Sequence, residues 1–535
     1  MQDIDSEKLL AEFWRRVEAK EIVCREVQGR LMVTTPEIVS EEAFILDWAK
    51  QYAPALAPRR TVTDSKLNAE QRQAVEHVLT TTSRVQGIIG RAGTGKTTLM
   101  TATIAAIHSQ GGQVIVMTPH SEHAYQRLRQ DGFKDAVTVE AFLRKQTLRE
   151  ECTNATLWID EAGLLSNQSM RRLFEVADEM NARIVLAGDP RQHGPVDRGL
   201  PFKLLSEAGD VPFATLKEIQ RQRGHNREIV EHLASGDAAT GFKMLEASGN
   251  IHERNDEKRY QAIAKEYVQA VDAGKAVLLI SPTHDEGRKV TDAIRRRMKA
   301  AGKLGQERAV PVLRKLNWSK AERADCRSYY PGIILELTHG IGGYERGERL
   351  EVVNAGKDSV AVRDTSGALG AFNVADLAGR FQTFERDELR VGLGEIIRIT
   401  KNGRTLEGRR LNNGSIHTVT DFTPYGELKT KLGTIPRGYM HLAHGWVSTS
   451  FASQGRTVQN VIIAQSSASG RASNARQFYV SVPRERESIK VFTDNRAKLL
   501  ESLQAEEEGM AAVELMAGKK WTPLPLNHAK ELQRA

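Results

Sequence analysis

Short apolar runs alternate with segments of helical period from residue 67 onward. The apolar runs are rich in valine, isoleucine and leucine, and polar residues bound each of them. Strands that alternate with helices are typical of a parallel sheet covered by helices on both faces. The pattern therefore predicts an α/β fold with strands at VQGIIG (85–90), QVIVMT (113–118), TLWID (156–160) and RIVLAG (183–188).

A second set of strand-like runs follows, and it is interrupted. Between its members, residues 311–435 show alternating apolar positions and turn signals at Lys401–Gly403 and Asn412–Gly414. We therefore expect a second α/β layer that contains an inserted small antiparallel β barrel of the SH3-like type. The strands predicted for this second layer are AVLLIS (276–281), VQNVIIA (458–464) and QFYVSV (477–482).

The first residues predict a small α/β subdomain. A strand at RLMVTT is followed by a helix with Thr35 as its N-cap and Pro36 in its first turn. Prolines and polar residues at 53–66 predict a linker. Before the strand, residues 4–20 predict a helix whose apolar face carries Leu9, Leu10, Phe13, Trp14 and Val17.

Size and composition limit the possible classes. A chain of 535 residues exceeds one core and should form several domains. No apolar run approaches the roughly 20 residues of a membrane span, and no secretory leader is visible, so we expect a cytoplasmic protein. The net charge of +8 is compatible with a polyanionic partner. Cys24, Cys152 and Cys326 are widely spaced, which favours neither a disulfide framework nor a zinc site.

The segment GRAGTGKTT fits the pattern G-x-x-x-x-G-K-[ST]. In this pattern glycines turn backbone N–H groups toward phosphates, Lys96 reaches the β- and γ-phosphates, and the Thr97 hydroxyl ligates Mg²⁺. A glycine-rich turn without a ligand is the alternative, but the segment follows a predicted strand and precedes a predicted helix. The sequence thus predicts an ATP site at Gly90, Arg91, Ala92, Gly93, Thr94, Gly95, Lys96, Thr97 and Thr98.

Two further strand ends carry residues suited to phosphate chemistry. Of Asp160 and Glu161, one carboxylate could complete the Mg²⁺ site, which we assign to Asp160 with Thr97, and the other could orient or deprotonate the attacking water. Asp189 and Gln192 end the next strand, and the Gln192 amide could touch the attacking water or the γ-phosphate. Polar turns after buried strands are the alternative. Because ligands of open α/β sheets bind at the carboxyl ends of strands, one common site is predicted.

With these motifs in order, the chain resembles superfamily 1 helicases of the 5′→3′ branch, which includes RecD-like enzymes and the helicase part of conjugative relaxase-helicases. The resemblance runs from about residue 67 to 495. It implies two RecA-like domains that close on ATP. The domains expected are an N-terminal subdomain (1–66), RecA-like domain 1A (67–213), RecA-like domain 2A (214–310 and 436–500), the inserted β-rich domain 2B (311–435) and a C-terminal tail (501–535).

The resemblance implies further nucleotide contacts. Gln71 in LNAEQRQAV would read adenine, and a capping box with Asn68 is the structural alternative. Arg221 and Arg484 would contact the γ-phosphate from the second RecA-like domain and stabilise transition-state charge. Pro483 departs from the family pattern, which usually has serine or threonine beside this last arginine.

The resemblance also implies contacts with single-stranded DNA. Thr118, Pro119 and His120 in MTPHSEHAYQRL and Thr138 in VTVEAFL would approach the strand from the first domain. Thr283 in SPTHDEGRKV would do so from the second, with a helix N-cap as its structural alternative.

The segment STSFASQGRT resembles the motif that links DNA to ATP. Thr449 and Ser450 would face the DNA, and Gln454 and Gly455 would face the γ-phosphate. Phe451 stands where related families often have histidine. It could stack on a base or fill the core, but it cannot hydrogen-bond a phosphate.

The sequence therefore predicts an ATP-dependent 5′→3′ DNA helicase or translocase that uses ATP and Mg²⁺ and acts on single-stranded DNA or a 5′-tailed duplex, in conjugative transfer. No leading nicking domain with catalytic tyrosines and a His-x-His cluster is visible, so we do not predict nicking, and a separate relaxase or transfer complex would be a partner. His441 and His444 are interpreted as structural. The alternatives are a RecD-like repair helicase, an ATPase adaptor with little unwinding, and action on RNA.

Overall fold

The structure is a computed structural model that describes residues 6–27, 29–51, 66–119, 122–208, 210–222, 224–505 and 510–516. The chain forms two compact units. The first comprises Met1–Arg259, Ala270–Gly287 and Ser448–Ala535, and the second comprises Tyr260–Gln269 and Arg288–Val447. None of the described helices is long and apolar enough to cross a membrane.

The first unit begins with two helices that flank a pair of antiparallel strands. The sequence pattern predicts both helices and the second strand but not the first. The Thr35 hydroxyl accepts a hydrogen bond from the Ile38 N–H at 3.5 Å, and Pro36 opens the helix, so the predicted cap is confirmed. Trp48 stacks on Phe174 at 4.4 Å between ring centroids. The predicted linker at 53–66 lies almost wholly outside the described residues. The elements are α1 (Ser6–Glu18), β1 (Val23–Val27), β2 (Arg30–Thr34) and α2 (Pro36–Ala49).

A six-stranded parallel sheet follows in the same unit. All four strands predicted from the apolar runs are confirmed, and every residue of two of them is buried, as expected for a sheet covered on both faces. The elements are α3 (Ala69–Thr80), β3 (Val85–Gly90), α4 (Lys96–Ser109), β4 (Val114–Thr118), α5 (Glu122–Gln130), β5 (Val137–Thr138), α6 (Val139–Arg144), α7 (Gln146–Glu150), β6 (Thr156–Ile159), α8 (Asn167–Glu179), β7 (Arg183–Gly188), α9 (Pro201–Glu207) and β8 (Phe213–Leu216). The strand order is β5-β4-β6-β7-β3-β8.

The chain then starts a second parallel sheet before entering the second unit. Its predicted strand at 276–281 is confirmed with slightly shorter bounds. The elements are α10 (Gly224–Ser235), α11 (Ala238–Ala247), β9 (Ile251–Glu253), α12 (Asp256–Asp272), β10 (Val277–Ile280) and α13 (His284–Ala300).

The second unit is rich in antiparallel strands, and the predicted insertion 311–435 falls inside it. The turn predicted at Asn412–Gly414 is present, whereas Gly403 lies within a strand. The strands are β11 (Glu307–Lys315), β12 (Ile334–Leu337), β13 (Arg349–Ala355), β14 (Val360–Arg363), β15 (Leu369–Phe372), β16 (Phe381–Gly392), β17 (Ile396–Ile399), β18 (Gly403–Arg404), β19 (Arg410–Leu411), β20 (Ile416–Phe422), β21 (Leu428–Thr430), β22 (Gly433–Ile435) and β23 (Leu442–His444), with short helices α14 (Lys320–Ala324) and α15 (Val374–Leu377).

These strands form three sheets in the second unit. One has six strands in the order β11-β16-β12-β13-β14-β15, one has five in the order β22-β21-β20-β17-β23, and β18 pairs with β19 alone. The antiparallel character is as predicted. The SH3-like barrel stays a prediction.

The chain returns to complete the second sheet of the first unit. The sheet order is β24-β10-β25-β26-β9, and the predicted strand at 458–464 is confirmed. The elements are β24 (Val447–Ser448), α16 (Ser450–Ser453), β25 (Val458–Ala464), α17 (Ala475–Ser481), β26 (Glu485–Thr493), α18 (Arg496–Gln504) and α19 (Ala512–Met516).

The strand predicted at QFYVSV (477–482) is wrong, because these residues form most of helix α17. The Asn474 side chain accepts a hydrogen bond from the Gln477 N–H at 2.9 Å and so caps the helix. The residues from Gln477 to Ser481 are all buried, so both faces of the helix carry core residues. A short apolar run of this kind reads like a buried strand. The strand of this region begins later, at Glu485.

Candidate functional site

The predicted phosphate loop joins β3 to α4 and has the backbone that its glycines allow. Gly93 and Gly95 have φ of 87° and 79°, in the left-handed region that favours glycine. A Cβ at Gly95 would lie 2.5 Å from Gln71 Nε2, so a side chain there would displace the Gln71 amide. Lys96 Nζ donates to the Gly90 carbonyl at 2.5 Å, which holds the lysine over the loop.

Gln71 supports this loop from α3. Its Oε1 accepts from the Asn68 N–H at 3.0 Å, and its own N–H donates to Asn68 Oδ1 at 2.8 Å, which is the capping box weighed as an alternative. Its Nε2 donates to the carbonyls of Thr94 and Gly95 at 3.2 and 3.4 Å. Gln71 is buried. The capping box is thus confirmed, and the adenine contact stays a prediction.

A cavity of about 240 Å³ opens at this loop. All six side chains predicted to be catalytic line it, although they come from five separate stretches of the chain. Four predicted nucleotide contacts, namely Gln71, Gly90, Thr98 and Gly455, are not among its lining residues. The lining consists of Arg91, Ala92, Gly93, Thr94, Gly95, Lys96, Thr97, Arg127, Asp160, Glu161, Gln192, Gln220, Arg221 and Arg484.

Asp160 and Glu161 follow directly on β6. The Asp160 N–H donates to the Met117 carbonyl at 2.8 Å, which extends the pairing of β6 with β4 by one residue. Burial raises the pKa of Asp160 and the Glu161 carboxylate raises it further, while Lys96 and Arg127 act in the opposite direction. A cation bound beside Asp160 would therefore stabilise its ionised form.

Glu161 is held by a residue that lies far away in sequence. Gln454 Nε2 donates to Glu161 Oε2 at 3.1 Å. The motif predicted to face the γ-phosphate thus reaches the predicted general base directly.

Two arginines from other parts of the chain reach the cavity: Arg221 lies between β8 and α10, and Arg484 directly precedes β26. Arg221 Nη1 donates to the Pro483 carbonyl at 3.0 Å, and Arg484 Nη2 donates to Gln192 Oε1 at 3.4 Å. Burial and then the charge of Arg484 lower the pKa of Arg221 to about 9, and burial lowers the pKa of Arg484. An anion in the cavity would relieve the cost of burying these charges.

The Tyr479 hydroxyl, which the sequence reasoning missed, ties three motifs together. It donates to Asp189 Oδ2 at 2.6 Å and accepts from the Ala92 N–H at 3.2 Å. Burial, followed by the Asp189 carboxylate, raises the pKa of Tyr479 well above its usual range. Its place five residues before Arg484 in FYVSVPR is the only signal in the sequence.

Three of the four threonines predicted to contact DNA cap helices. The hydroxyls of Thr138, Thr283 and Thr449 each accept a hydrogen bond from the backbone N–H three residues further on, at 3.1, 3.4 and 3.2 Å. The N-cap alternative for Thr283 is therefore confirmed, and the same holds for the other two. A cap hydroxyl retains a second lone pair and its proton, so a DNA contact stays a prediction.

The remaining predicted DNA contacts lie near strand and helix ends. Thr118 ends β4 and is fully buried, and within the described residues its hydroxyl has no hydrogen-bond partner. Pro119 follows it, and His120 lies outside the described residues. Ser450 is buried, and its Oγ lies 2.9 Å from His193 Nε2.

Phe451 does not fill the core. It is 38% exposed, and its ring centroid lies 5.7 Å from that of His193. Of the two interpretations offered by the sequence, the structure excludes the core position. His193, one residue after Gln192, was also missed by the sequence reasoning.

The chain is similar to several known proteins. Residues 66–256 match the family model described as an AAA domain. The multifunctional conjugation protein TraI of Escherichia coli (strain K12) is 24% identical over 497 residues, which cover 81% of this chain and 28% of TraI. The ATP-dependent RecD2 DNA helicase of Deinococcus radiodurans is 31% identical over 171 residues, which cover 30% of this chain and 23% of RecD2.

A solved structure of Pif1 helicase from Bacteroides, in complex with ADP-AlF3 and single-stranded DNA, aligns with 83% of this chain and 95% of its own. Its sequence identity is 16% and the TM-score is 0.40. The conjugal transfer protein TraA of Rhizobium radiobacter is 23% identical over 453 residues. The chain spans 28% of TraI and 34% of this TraA, about a third or less of the curated relatives it matches. By its sequence relatives and the order of its motifs, the chain is similar to superfamily 1 helicases of the RecD type and to the conjugative relaxase-helicases.

Proposed function

We propose that the chain is an ATP-driven 5′→3′ translocase and helicase on single-stranded DNA. The observation that carries the proposal is the convergence, on one cavity, of the phosphate loop and two strand ends of the first sheet with Arg221 and Arg484. Five basic and two acidic side chains line this cavity, which suits a triphosphate.

The cavity residues divide the work of phosphoryl transfer. Lys96 and the loop N–H groups would bind the phosphates, and Glu161 would orient or deprotonate the attacking water. Arg221 and Arg484 would stabilise the charge that develops on the transferred group. Since both arginines belong to the expected RecA-like domain 2A, ATP would draw the two RecA-like domains together and Pi release would free them.

The donor set at Thr97 and Asp160 fits Mg²⁺. Hydroxyl and carboxylate oxygens are the ligands that this ion prefers, and the raised pKa of Asp160 means that a cation there stabilises the charged carboxylate. Bound Mg²⁺ would neutralise phosphate charge during transfer.

The DNA strand would run past the helix ends that carry Thr118–Pro119, Thr138, Thr283 and Thr449–Ser450. Contacts from hydroxyls and backbone groups would be independent of base sequence, and basic side chains would add a salt-sensitive term. We assign the activity to conjugative DNA transfer, where a separate relaxase or transfer complex would be the partner, because most of the chain aligns with TraI and TraA. The cytoplasmic location stays a prediction.

The proposal is tested with duplexes that carry a single-stranded tail at one end. We expect the protein with ATP and Mg²⁺ to open a 5′-tailed duplex at least about tenfold faster than a 3′-tailed one. We expect Lys96→Ala to lower the DNA-stimulated ATPase by about 10²-fold or more, because it removes a contact to the transferring phosphate. Strand release is followed by fluorescence and phosphate release by a coupled assay.

The other outcomes separate the alternatives. Faster opening of 3′-tailed duplexes would reject the polarity. DNA-stimulated ATPase without strand release would favour the adaptor, and stimulation by RNA alone would reject DNA as the substrate. An unchanged ATPase in Lys96→Ala would overturn the site itself.

A further inference from the structure

Arg127 lines the phosphate cavity although no motif assigns it. It lies on α5, the helix that comes directly after β4 and the Thr118–Pro119 segment. Arg127 thus lies a few residues along the chain from the Thr118–Pro119 segment.

The guanidinium of Arg127 joins two distant parts of the chain. Its Nη2 donates to Thr97 Oγ1 at 3.1 Å, and its Nη1 donates to the Gly455 carbonyl at 2.9 Å. Its Nε lies 3.4 Å from an Asp131 carboxylate oxygen, which orients the group from the other side. The planar fork of arginine suits this task, because its N–H groups point in fixed directions.

The two partners of Arg127 have different roles. Thr97 is the hydroxyl residue of the phosphate loop. Gly455 ends the segment that carries Thr449 and Ser450 and follows directly on Gln454, whose amide reaches Glu161. The left-handed φ of 78° at Gly455 turns the chain here. One side chain thus contacts the loop of the first sheet and the DNA-linked segment of the second.

Arg129 shows that this placement is specific to one position of the helix. It lies two residues further along α5, is exposed, and donates to Tyr125 Oη at 3.0 Å on its own helix. It is not among the residues that line the cavity. The same charge on the same helix therefore provides a matched control.

We propose that Arg127 is a positioning residue that couples single-stranded DNA to ATP, by holding Thr97 and Gly455 in a fixed relation to the Thr118–Pro119 segment. The inference rests on the proposed function and extends it. DNA bound along Thr118–Pro119 and Thr449–Ser450 fixes both ends of this link, and the link then fixes the Thr97 hydroxyl. ATP binding, in turn, changes the affinity for DNA through the same contacts, since coupling between two sites is reciprocal.

The test compares the wild type with Arg127→Ala, Arg127→Lys and Arg129→Ala. The dissociation constant of a fluorescent oligothymidylate is measured with and without a non-hydrolysable ATP analogue, and the ATPase is measured with and without the oligonucleotide. We expect the analogue to change DNA affinity by roughly 5- to 150-fold in the wild type and in Arg129→Ala. In Arg127→Ala this factor should fall about fivefold or more, and the DNA stimulation of kcat should fall about tenfold or more.

Two readouts distinguish positioning from other roles. The affinity of Arg127→Ala for the analogue should stay within about threefold of the wild type, because Lys96 and the loop still bind the phosphates. Arg127→Lys should remain uncoupled, because one ammonium group cannot reproduce the two-armed contact.

Each contrary result overturns the inference. Wild-type coupling in Arg127→Ala would show that Arg127 is not the link. Full rescue by Arg127→Lys would show that charge alone suffices, and a loss of analogue affinity above about tenfold would make Arg127 a phosphate ligand instead. A wild type that shows neither DNA stimulation nor coupling overturns the proposed function as well, whereas normal coupling in both wild type and Arg127→Ala overturns only the role of Arg127.

Discussion

Glu161 adopts a left-handed backbone conformation that the sequence does not predict. Its φ of 56° lies in the left-handed region, which costs a non-glycine residue about 1–3 kcal/mol. Such conformations persist only where surrounding contacts determine them, and they cluster at functional sites. The bond from Gln454 is one such contact. Backbone and partner together aim this carboxylate into the cavity, which agrees with its proposed role as the general base.

His193 makes the stability of the first unit depend on pH. Burial, followed by the charges of Arg476 and Arg484, lowers the pKa of His193 to about 4. The unfolded chain takes up this proton at about pH 6.5. The stability that neutral His193 contributes is therefore complete above about pH 6.5 and is lost as the pH falls toward 4. His193→Gln should lack this loss. Between pH 7 and pH 4.5 its unfolding free energy should therefore fall by about 1–3 kcal/mol less than that of the wild type.

Urea unfolding across this pH range, followed by fluorescence, measures the difference. Parallel profiles for His193→Gln and the wild type would show that His193 is not held neutral by the fold.

In each of the three helices capped by a threonine, the same hydroxyl can cap the helix and also contact DNA. Substitution of the threonine by aspartate tests the two roles separately, because the carboxylate is an equally good N-cap but repels the DNA phosphates. We expect Thr138→Asp to keep the thermal stability within about 0.5 kcal/mol of the wild type and to weaken binding of single-stranded DNA by about tenfold or more. Calorimetry and fluorescence anisotropy give the two values.

A cap that no motif assigns to DNA serves as the comparison. The exposed Ser319 accepts from the Glu322 N–H at 3.1 Å at the start of α14, and Ser319→Asp should change neither stability nor DNA affinity. If Thr138→Asp binds DNA as tightly as Ser319→Asp, the threonine is a helix cap only.

Local sequence patterns predict much of the site, because its chemistry begins at strand ends. The phosphate loop, Asp160, Glu161 and Gln192 each follow a strand that the apolar runs reveal. Arg127 and Tyr479 escape this reasoning, since their partners are 328 and 387 residues away and no local pattern records such contacts. The sequence predicts a strand at α17 because the helix is short and buried on both faces, so that hydrophobic periodicity does not separate helix from strand.

In the second unit, a buried carboxylate of the six-stranded sheet bonds to side chains next to the ends of β17 and β23 in the five-stranded sheet. Glu336 in β12 is within 3.0 Å of His441 Nε2, and Lys401 Nζ and Arg349 Nε donate to it at 2.6 and 3.1 Å. Burial alone would raise the pKa of Glu336, but His441 and Lys401 lower it to about 2. His441 is therefore structural here, as the sequence reasoning proposed.

Replacement of this carboxylate should destabilise the second unit selectively. In Glu336→Gln the cations lose their counter-charge, and because Lys401 and Arg349 are partly exposed we expect a loss of about 2 kcal/mol. In the wild type the same stability is present above about pH 4.5 and is lost as the pH falls toward 2, and the variant should lack this dependence.

Calorimetry with and without an ATP analogue assigns the transitions, because the analogue should raise only the transition of the first unit. Glu336→Gln should lower the other transition. Equal shifts of both transitions, or none, would contradict a separate role for this cluster.

The Tyr479 hydroxyl also has a consequence for the order in which the protein is made. Ala92, whose N–H donates a hydrogen bond to this hydroxyl, leaves the ribosome 387 residues before Tyr479. At a synthesis rate of about 5–20 residues per second, Tyr479 is made roughly 20–80 s after the phosphate loop. Once Leu216 has been synthesised, all strands of the first sheet are present. Until Tyr479 follows, Asp189 and the Ala92 N–H lack its hydroxyl and hydrogen-bond to water or are covered by a chaperone. Nascent chains stalled before residue 479 should therefore have a folded ATP site that lacks the hydrogen bonds of the Tyr479 hydroxyl.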